Sequence, residues 1–312
     1  MTYGEMYRRG EQELLEAGIE EAGLEARLLL EHVCGTNRND LLAHGDRMLE
    51  ACQTRNYEGL IKRRKKRIPL QHLTGEQEFM GLTFSVDERV LIPRQDTENL
   101  VEEVLRNLHD GMKVLDLCTG SGCILVSLLH YSNDCQGVGA DISEDALAVA
   151  RRNAERLLGR EALAGDGQEF AQAGEGAERE NCPGSGQGAA GEGRVRFVRS
   201  DLFAGIAGKF DIIVSNPPYI VRDVIPTLMP EVREHEPVLA LDGGEDGLAF
   251  YRRIAAESGE YLYGGGMLFL EIGYDQGESV SALLREAGFL DVQVVKDYAG
   301  LDRVVYGTWR FE

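Results

Sequence analysis

The fold of this chain is decided by residues 114–122, which read VLDLCTGSG. The apolar half of this stretch predicts a buried strand, and the half that ends in Gly120 and Gly122 predicts a tight turn that opens a helix. Small residues at such a turn let backbone amides approach a ligand at the helix N-terminus. Nineteen residues after Gly122, a second predicted strand ends in Asp141. An acid at that place can accept hydrogen bonds from both hydroxyls of a ribose, so the stretch predicts a nucleoside site.

The glycine spacing disfavours a dinucleotide as the ligand of this loop. A pyrophosphate-binding loop carries a third Gly or Ala three residues after Gly122, and that position is Leu125. The loop therefore favours a nucleoside without phosphates, such as S-adenosylmethionine.

Beyond residue 112, strand-like and helix-like apolar periods alternate, which is typical of an α/β sheet covered by helices on both faces. We predict strands at 113–118, 137–141, 195–199, 210–215, 267–272, 292–295 and 303–309, and helices at 122–131, 144–158, 247–261 and 276–287. A short connection separates the last two strands, which predicts an antiparallel hairpin at one sheet edge.

The residues before this sheet predict a second domain of short amphipathic helices, at 1–76. One helix fits 21–32, and another fits 53–67 and ends in six consecutive basic residues, 62–67. The basic run is either a solvated helix end or a docking patch for an acidic partner or RNA. Residues 78–92 change to a strand period and predict a β-hairpin within a linker at 77–93.

The last predicted domain, 94–312, contains an interruption at 160–193. This stretch is rich in Gly, Ala and Glu and nearly free of large apolar side chains. It cannot bury enough surface to offset its ordering entropy. We predict a flexible insertion with no catalytic role.

Charge disfavours a nucleic-acid substrate. The chain has 312 residues and a net charge of −20; residues 1–76 carry 12 Lys/Arg and 13 Asp/Glu, and residues 160–193 carry 2 and 7. Most of the negative charge therefore falls on the predicted α/β domain, whereas a surface that neutralises phosphates needs the opposite sign.

Further composition features point to a cytoplasmic protein without a metal. The N-terminus carries no secretory apolar region, and no apolar run approaches the ~20 residues that span a bilayer. The six cysteines form no CxxC pair, and no His cluster accompanies them at zinc-ligand spacing. We expect reduced thiols, no metal and no membrane partner.

A second constellation, NPPY at 216–219, follows the predicted strand 210–215. Ligands of an open α/β sheet bind at the carboxyl ends of its strands. Prolines have no N–H, so the side-chain oxygen of Asn216 and the carbonyl of Pro217 can together accept the two hydrogens of a planar NH₂ group. Tyr219 adds an aromatic face for a flat substrate group. The alternative is a tight turn after a strand, which the preceding nucleoside loop and Asp141 disfavour.

With these motifs, the chain resembles the release factor glutamine methyltransferases, the PrmC/HemK family. The resemblance covers nearly the whole chain and rests on PLQHLTG at 69–75, LIPRQDTE at 91–98, the glycine loop, NPPY at 216–219, residues 236–244 and EIG at 271–273. It implies a Rossmann-like class I methyltransferase fold, with a mostly parallel seven-stranded sheet, a small N-terminal helical domain and a β-hairpin linker.

The resemblance also implies the site residues and the reaction. S-adenosyl-L-methionine would be held by Cys118, Thr119, Gly120, Ser121 and Gly122 around its methionine part, by Asp141 at its ribose, by Asp201 and Leu202 beside its adenine, and by Asn216. The catalytic residues would be Asn216, Pro217 and Tyr219, and these with Pro218 would grip the substrate. The family's substrate is the glutamine of the Gly-Gly-Gln loop of peptide-chain release factors, in translation termination. The N-terminal domain would help to recognise that partner, and we expect a monomer.

The chain departs from the family pattern at Cys118, where D-x-G-x-G-x-G has its first glycine. A side chain there either crowds the methionine tail or requires a shifted turn. The insertion at 160–193 is also longer than the family usually shows.

Some roles and rival functions stay open at this point. Asp96 and Thr97 either cap a helix that starts near Glu98 or belong to the site, and Glu271 has either a site role or a structural one. Rival functions are an adenine N6 methyltransferase acting on DNA, a glutamine methyltransferase acting on a ribosomal protein, and a non-catalytic module that keeps only the cofactor fold.

Overall fold

The computed structural model describes residues 1–164 and 193–310. The chain packs into two compact units. The first, here called the helical unit, contains Met1–Gln77, Ser85–Ile92 and Val224–Val238, and the second, the sheet unit, contains Glu78–Phe84, Pro93–Asp223 and Leu239–Glu312. Residues 224–238 thus pack in the helical unit, although the sequence analysis assigned all of 94–312 to one domain.

The secondary structure follows the predicted alternation. The helices are α1 (Tyr3–Glu16), α2 (Ala22–Cys34), α3 (Arg38–Ala43), α4 (Ala51–Arg64), α5 (Leu70–Thr74), α6 (Gln95–Asn107), α7 (Cys123–His130), α8 (Glu144–Leu158), α9 (Pro230–His235), α10 (Ala249–Tyr261) and α11 (Gly277–Ala287). The strands are β1 (Glu76–Phe79), β2 (Leu82–Ser85), β3 (Lys113–Leu117), β4 (Gln136–Asp141), β5 (Val195–Arg199), β6 (Phe210–Ser215), β7 (Leu262–Glu271), β8 (Phe289–Lys296) and β9 (Asp302–Trp309). Four helix or sheet-strand boundaries were predicted wrongly by three or more residues: α4 ends at Arg64 rather than at 67, α6 begins at Gln95 rather than near Glu98, β7 begins at Leu262 rather than at 267, and β8 begins at Phe289 rather than at 292.

Seven strands form one sheet in the order β5-β4-β3-β6-β7-β9-β8. The first five of these are parallel neighbours, and β9 runs antiparallel to both β7 and β8. Successive β3 side chains enter different apolar clusters, Val114 with Leu125 of α7 and Leu115 with Ile254 of α10. Because neighbouring residues of a strand point to opposite faces, helices cover both faces of the sheet. The predicted mostly parallel fold is confirmed.

The predicted β-hairpin exists but is shorter than expected. Its strands end at Ser85, so the predicted strand residues Val90 and Ile92 lie outside it. Both are nevertheless buried, which explains their apolar character. The hairpin tip is held within the sheet unit: the Met80 N–H donates to Glu98 Oε1 at 2.6 Å, and the Tyr131 hydroxyl donates to the Met80 carbonyl at 2.6 Å.

The predicted flexible insertion at 160–193 falls mostly on residues 165–192, which lie outside the described residues, as does Cys182. Its described flanks join the sheet. Residues Arg160–Ala162 form a 3₁₀ turn, Leu163 pairs with Val195 in parallel, and the Ala164 N–H donates to the Val195 carbonyl at 2.8 Å. In the described part of the chain, no helix combines the length and the apolar character needed to cross a bilayer.

The helical unit packs the apolar faces of α1, α2 and α4 against one another. Leu14, Leu29 and Tyr57 are at most 1% exposed, and the Tyr57 hydroxyl donates to the Ala26 carbonyl at 3.1 Å. Gly10 allows this close approach, since a Cβ there would lie 1.9 Å from the Tyr57 hydroxyl oxygen.

The basic run 62–67 contributes to the packing of the helical unit. Arg64 is 5% exposed and forms ion pairs with Glu25 and, at 3.0 Å, with Glu231. Arg67 also pairs with Glu231, at 3.2 Å, and donates to the Ala17 carbonyl at 3.1 Å. The charge of Arg64 is therefore neutralised inside the helical unit. For this residue, the interpretation as a solvated helix end and the interpretation as a docking patch are both wrong.

We expect Arg64→Met to lower the free energy of unfolding by about 3 kcal/mol, because it leaves the carboxylates of Glu25 and Glu231, 14% and 11% exposed, short of a partner. Urea denaturation followed by circular dichroism measures this loss. Arg9→Met is the matched control, since the Arg9 side chain is 48% exposed in its 2.8 Å pair with Glu58. That change should cost under about 1 kcal/mol, and equal losses in the two variants would contradict the assigned role of Arg64.

Candidate active site

Three strand ends meet at one edge of the sheet. In the parallel register Leu117 pairs with both Ala140 and Ser215, so β3, β4 and β6 end side by side. The Ser215 hydroxyl donates to the Leu117 carbonyl at 2.7 Å. The structure therefore brings together the glycine loop, Asp141 and the residues that follow β6.

The glycine loop forms a tight turn before α7. Gly120 and Gly122 have φ angles of +55° and +78°, in the left-handed region that favours glycine. A Cβ on Gly122 would lie 3.1 Å from the Ala150 Cβ, so the loop also needs glycine for its approach to α8. From α8, the Asn153 amide donates to the Ser121 carbonyl at 2.9 Å. The loop is thus fixed from both sides.

The buried carboxylate of Asp116 holds the glycine loop in place through a hydrogen bond. Asp116 is fully buried in β3, and the Thr119 hydroxyl donates to its Oδ2 at 2.6 Å. Burial raises the pKa of Asp116 to about 7, and the hydrogen bond from Thr119 opposes that rise. The sequence analysis treated Asp116 only as a strand residue and missed this role.

Asp141 is arranged as an acceptor at the end of β4. Its Oδ2 accepts the Gly120 N–H and its Oδ1 accepts the Ser143 N–H, each at 2.9 Å. Burial raises the pKa of Asp141, and these backbone hydrogen bonds lower it. A carboxylate oxygen has two lone pairs, so each oxygen keeps one for a further donor.

The loop after β5 lies at the same edge, because the Ser200 N–H donates to the Asp141 carbonyl at 2.8 Å. Leu202 is 4% exposed with a φ of +51°. Asp201 is exposed and forms a 2.9 Å ion pair with Arg253. Leu202 is thus packed into the apolar cluster that contains Leu117, while the Asp201 side chain is engaged by α10.

Residues 216–219 leave the end of β6 without forming a turn, so the alternative of a tight turn is wrong. Pro217 and Pro218 are buried. Burial raises the pKa of Tyr219 to about 12, which keeps its phenol protonated.

Two glycines allow the backbone after β6 to be closely packed. A Cβ on Gly243 would lie 2.7 Å from the Tyr219 Cα, and one on Gly247 would lie 2.5 Å from the Tyr219 carbonyl oxygen. The same carbonyl accepts the Gln276 amide at 3.2 Å. These contacts explain why position 243 requires glycine, and they hold the segment at 216–219 in place.

Asn216 contacts two side chains that the sequence analysis left open. Its Nδ2 donates to the Thr97 hydroxyl oxygen at 3.2 Å, and Thr97 is 2% exposed. Glu271, 1% exposed at the end of β7, is the buried carboxylate beside this pair. Burial raises the pKa of Glu271 to about 7, while Thr97, Arg303 and Asn216 lower it.

The helix-cap interpretation of Asp96 and Thr97 is wrong. Arg94 is the N-cap of α6, no side chain caps the helix, and Thr97 lies inside it and faces Asn216. Asp96 instead forms a 3.2 Å ion pair with Arg303. In the sequence, the position of Thr97 within the LIPRQDTE motif at 91–98 was the signal that indicated a role in the site.

Metal ligands are not clustered at this edge. Across residues 1–164 and 193–310, no group of three His, Cys, Asp or Glu side chains is placed to hold an ion.

Cys118 occupies a backbone conformation that suits glycine. Its φ is +58°, so the chain keeps the left-handed turn and places a side chain in it. The thiol packs against the apolar cluster that contains Leu117. Burial raises the pKa of the Cys118 thiol, which keeps it neutral.

We expect Cys118→Gly to be more stable than Cys118→Ala by about 1 kcal/mol, because both lose the thiol and only Ala is strained at this φ. Thermal unfolding of the two variants measures the difference. Buried Cys135, whose φ is not positive, is the matched control. There Ala should be more stable than Gly by about 0.5–1 kcal/mol, and the same order at both positions would contradict strain at Cys118.

Two family models match the chain. The PrmC N-terminal domain matches residues 5–75, and a methyltransferase domain matches residues 108–172. Among solved structures, the hMettl16 catalytic domain, in complex with a 3'UTR hairpin, is 14% identical with a TM-score of 0.52 and covers 80% of this chain and 81% of that chain. This likeness shows the methyltransferase fold alone.

Curated relatives match nearly the whole chain. The release factor glutamine methyltransferase of Geobacter sulfurreducens is 42% identical over 94% of this chain and 92% of its own length. The protein of the same name from Caulobacter vibrioides is 38% identical over 99% of this chain and 96% of its own length. At this identity and coverage, the chain belongs to the release factor glutamine methyltransferase family.

Proposed function

We propose that the chain transfers a methyl group from S-adenosyl-L-methionine to the side-chain amide nitrogen of the glutamine in the Gly-Gly-Gln motif of peptide-chain release factors. The observation that carries this proposal is the placement of Asn216 and Pro217 beside the loop that ends at Gly122 and beside Asp141. Relatives of up to 42% identity that bear this activity in their names support it.

The residues present fit the methyl donor. Each oxygen of Asp141 keeps a lone pair for one ribose hydroxyl, and the loop that contains Asp201 and Leu202 follows at the same edge, where it would flank the adenine. A Cβ at Gly120 would meet the Cys118 carbonyl oxygen at an ordinary 3.9 Å, so the loop leaves room for the methionine part there. When bound, S-adenosyl-L-methionine supplies a methyl group on a positively charged sulfur.

The segment after β6 fits a primary amide. The Asn216 Oδ1 and the Pro217 carbonyl are acceptors for the two hydrogens of a planar NH₂ group. Accepting both hydrogens draws the nitrogen lone pair out of amide conjugation and toward the methyl group. Tyr219 offers an aromatic face to the flat amide.

The reaction is a single in-line displacement. The amide nitrogen forms a bond to the methyl carbon as the carbon–sulfur bond breaks, the bonding electrons leave on sulfur, and a proton passes from nitrogen to water. The protein contributes mainly by aligning nitrogen, carbon and sulfur, a contribution worth up to ~7–11 kcal/mol. The helical unit would help to recognise the release factor, since residues 5–75 match the PrmC N-terminal domain.

We expect Asn216→Ala to lower kcat for methyl transfer at least ~100-fold, because it removes an acceptor that aligns the nucleophile. Cofactor affinity, measured by calorimetry, should stay close to that of the wild type. Asn133→Ala is a control, since Asn133 is exposed before β4, at the opposite edge of the sheet. Turnover near the wild-type level in Asn216→Ala would refute the role of this residue.

Mass spectrometry of a release factor after incubation with the protein and labelled cofactor tests the substrate. We expect one added methyl group on the Gly-Gly-Gln glutamine, and none on a release factor in which that glutamine is replaced by glutamate. Transfer of label to DNA or to a ribosomal protein, with the release factor unmodified, would overturn the proposal.

A further inference from the structure

A chain of three side chains ends at the proposed substrate acceptor. Glu271 and Thr97 are 1% and 2% exposed, and Asn216 follows β6. The Asn216 Nδ2 donates to the Thr97 hydroxyl oxygen at 3.2 Å, and the Thr97 and Asn216 side chains both lower the pKa of Glu271 as hydrogen-bond donors. The three residues come from α6, β7 and the segment after β6, so only the tertiary fold brings them together.

The ionised form of Glu271, which the Thr97 and Asn216 donors stabilise, determines the direction of each hydrogen bond in this chain. An ionised carboxylate has no hydrogen and can only accept. The Thr97 hydroxyl has one hydrogen, which it donates to Glu271, so toward Asn216 it can only accept. The atom of Asn216 that faces both residues is therefore the NH₂ nitrogen, and the Oδ1 is on the other side of the amide.

We propose that Thr97 and Glu271 are positioning residues that fix which end of the Asn216 amide faces the substrate, and that they thereby make the site select a primary amide over a carboxylate. The inference rests on the proposed function, in which Asn216 accepts a hydrogen from the substrate glutamine.

Without Thr97 and Glu271, no strong energetic preference would hold the Asn216 amide in this orientation. The terminal torsion of Asn is broad and nearly two-fold, so a free side chain presents its oxygen or its nitrogen with similar ease. The flipped amide would place an N–H against the N–H of glutamine, where neither is satisfied. It would instead suit a carboxylate, which accepts.

The burial of Glu271 supports an orienting role. A carboxylate taken out of water is costly unless its oxygens are hydrogen-bonded. Within the described residues the Glu271 Oε2 has no hydrogen-bond partner, so the carboxylate is not fully compensated by the protein around it. Glu271 is therefore better explained by the amide that it orients than by a contribution to stability.

Thr97→Val tests the inference, because it removes the hydroxyl and keeps the branched shape. We expect kcat for release-factor methylation to fall at least ~10-fold while the Kd for the cofactor changes little. The unfolding midpoint should fall, because Glu271 loses a donor, with the protein still folded at the assay temperature. Thr97→Ser restores the hydroxyl and should recover most of the lost turnover. Ser258→Ala is the matched control, since Ser258 is fully buried in α10 and its hydroxyl has no partner in the described structure.

The preference for glutamine over glutamate is a second measurement, and it would not change if Thr97 had a purely structural role. A release factor in which the Gly-Gly-Gln glutamine is replaced by glutamate serves as a competitive inhibitor. We expect it to bind Thr97→Val at least ~10-fold more tightly, relative to the unchanged release factor, than it binds the wild type. The reason is that the freed amide can turn its NH₂ toward the carboxylate.

Wild-type kcat and unchanged selectivity in Thr97→Val would overturn the inference. Glu271→Gln is a second variant, expected to shift kcat and selectivity in the same direction because the new amide nitrogen competes as a donor. Wild-type behaviour in Glu271→Gln would overturn the role of Glu271 even if Thr97→Val failed to fold. If the wild-type protein methylates no release factor, the proposed function fails, and the inference fails with it.

Discussion

Two carboxylates lie buried at the site edge of the sheet, and the hydrogen-bond donors that each requires determine the shape of the site. Asp116 accepts the Thr119 hydroxyl and so supports the glycine loop. Glu271 lies beside the bonded pair of Thr97 and Asn216, whose donors lower its pKa, and so supports the segment after β6. Because a buried carboxylate is costly without donors, the loops that supply them are held in one arrangement. The need of a buried carboxylate for hydrogen-bond donors therefore shapes both the proposed cofactor side and the proposed substrate side of the site.

The parallel register adds a second constraint. Since Leu117 pairs with both Ala140 and Ser215, the carboxyl ends of β3, β4 and β6 cannot be displaced from one another without breaking the central sheet. A shift of one residue would also move every side chain to the opposite face, out of its apolar cluster. The spacing between Asp141 and Asn216 is thus set by the core and not by the loops alone.

Much of this arrangement could be predicted from the sequence, because apolar periodicity is a local signal. Strand 210–215 and helix 144–158 were predicted at their observed bounds, and the motif after each strand indicated the site edge. The roles of Thr97 and Glu271 could not be predicted, since they depend on contacts between residues more than 50 positions apart. Placing the start of α6 near Glu98 instead of at Gln95 also made Thr97 look like a cap. The left-handed backbone conformation of Cys118 could not be predicted for another reason. Glycine usually occupies this conformation, and a cysteine in the sequence does not indicate it.

The order of the chain through the helical unit limits how the protein can be divided. This unit includes Ser85–Ile92, which leads into α6, and Val224–Val238, which begins five residues after Tyr219. Arg64 and Arg67 hold the second of these segments through Glu231. A truncated chain beginning at residue 94 would keep Glu231 and lose both of its partners. The two units are therefore not separable modules, and neither is expected to be exchanged by simple fusion with a counterpart from another protein.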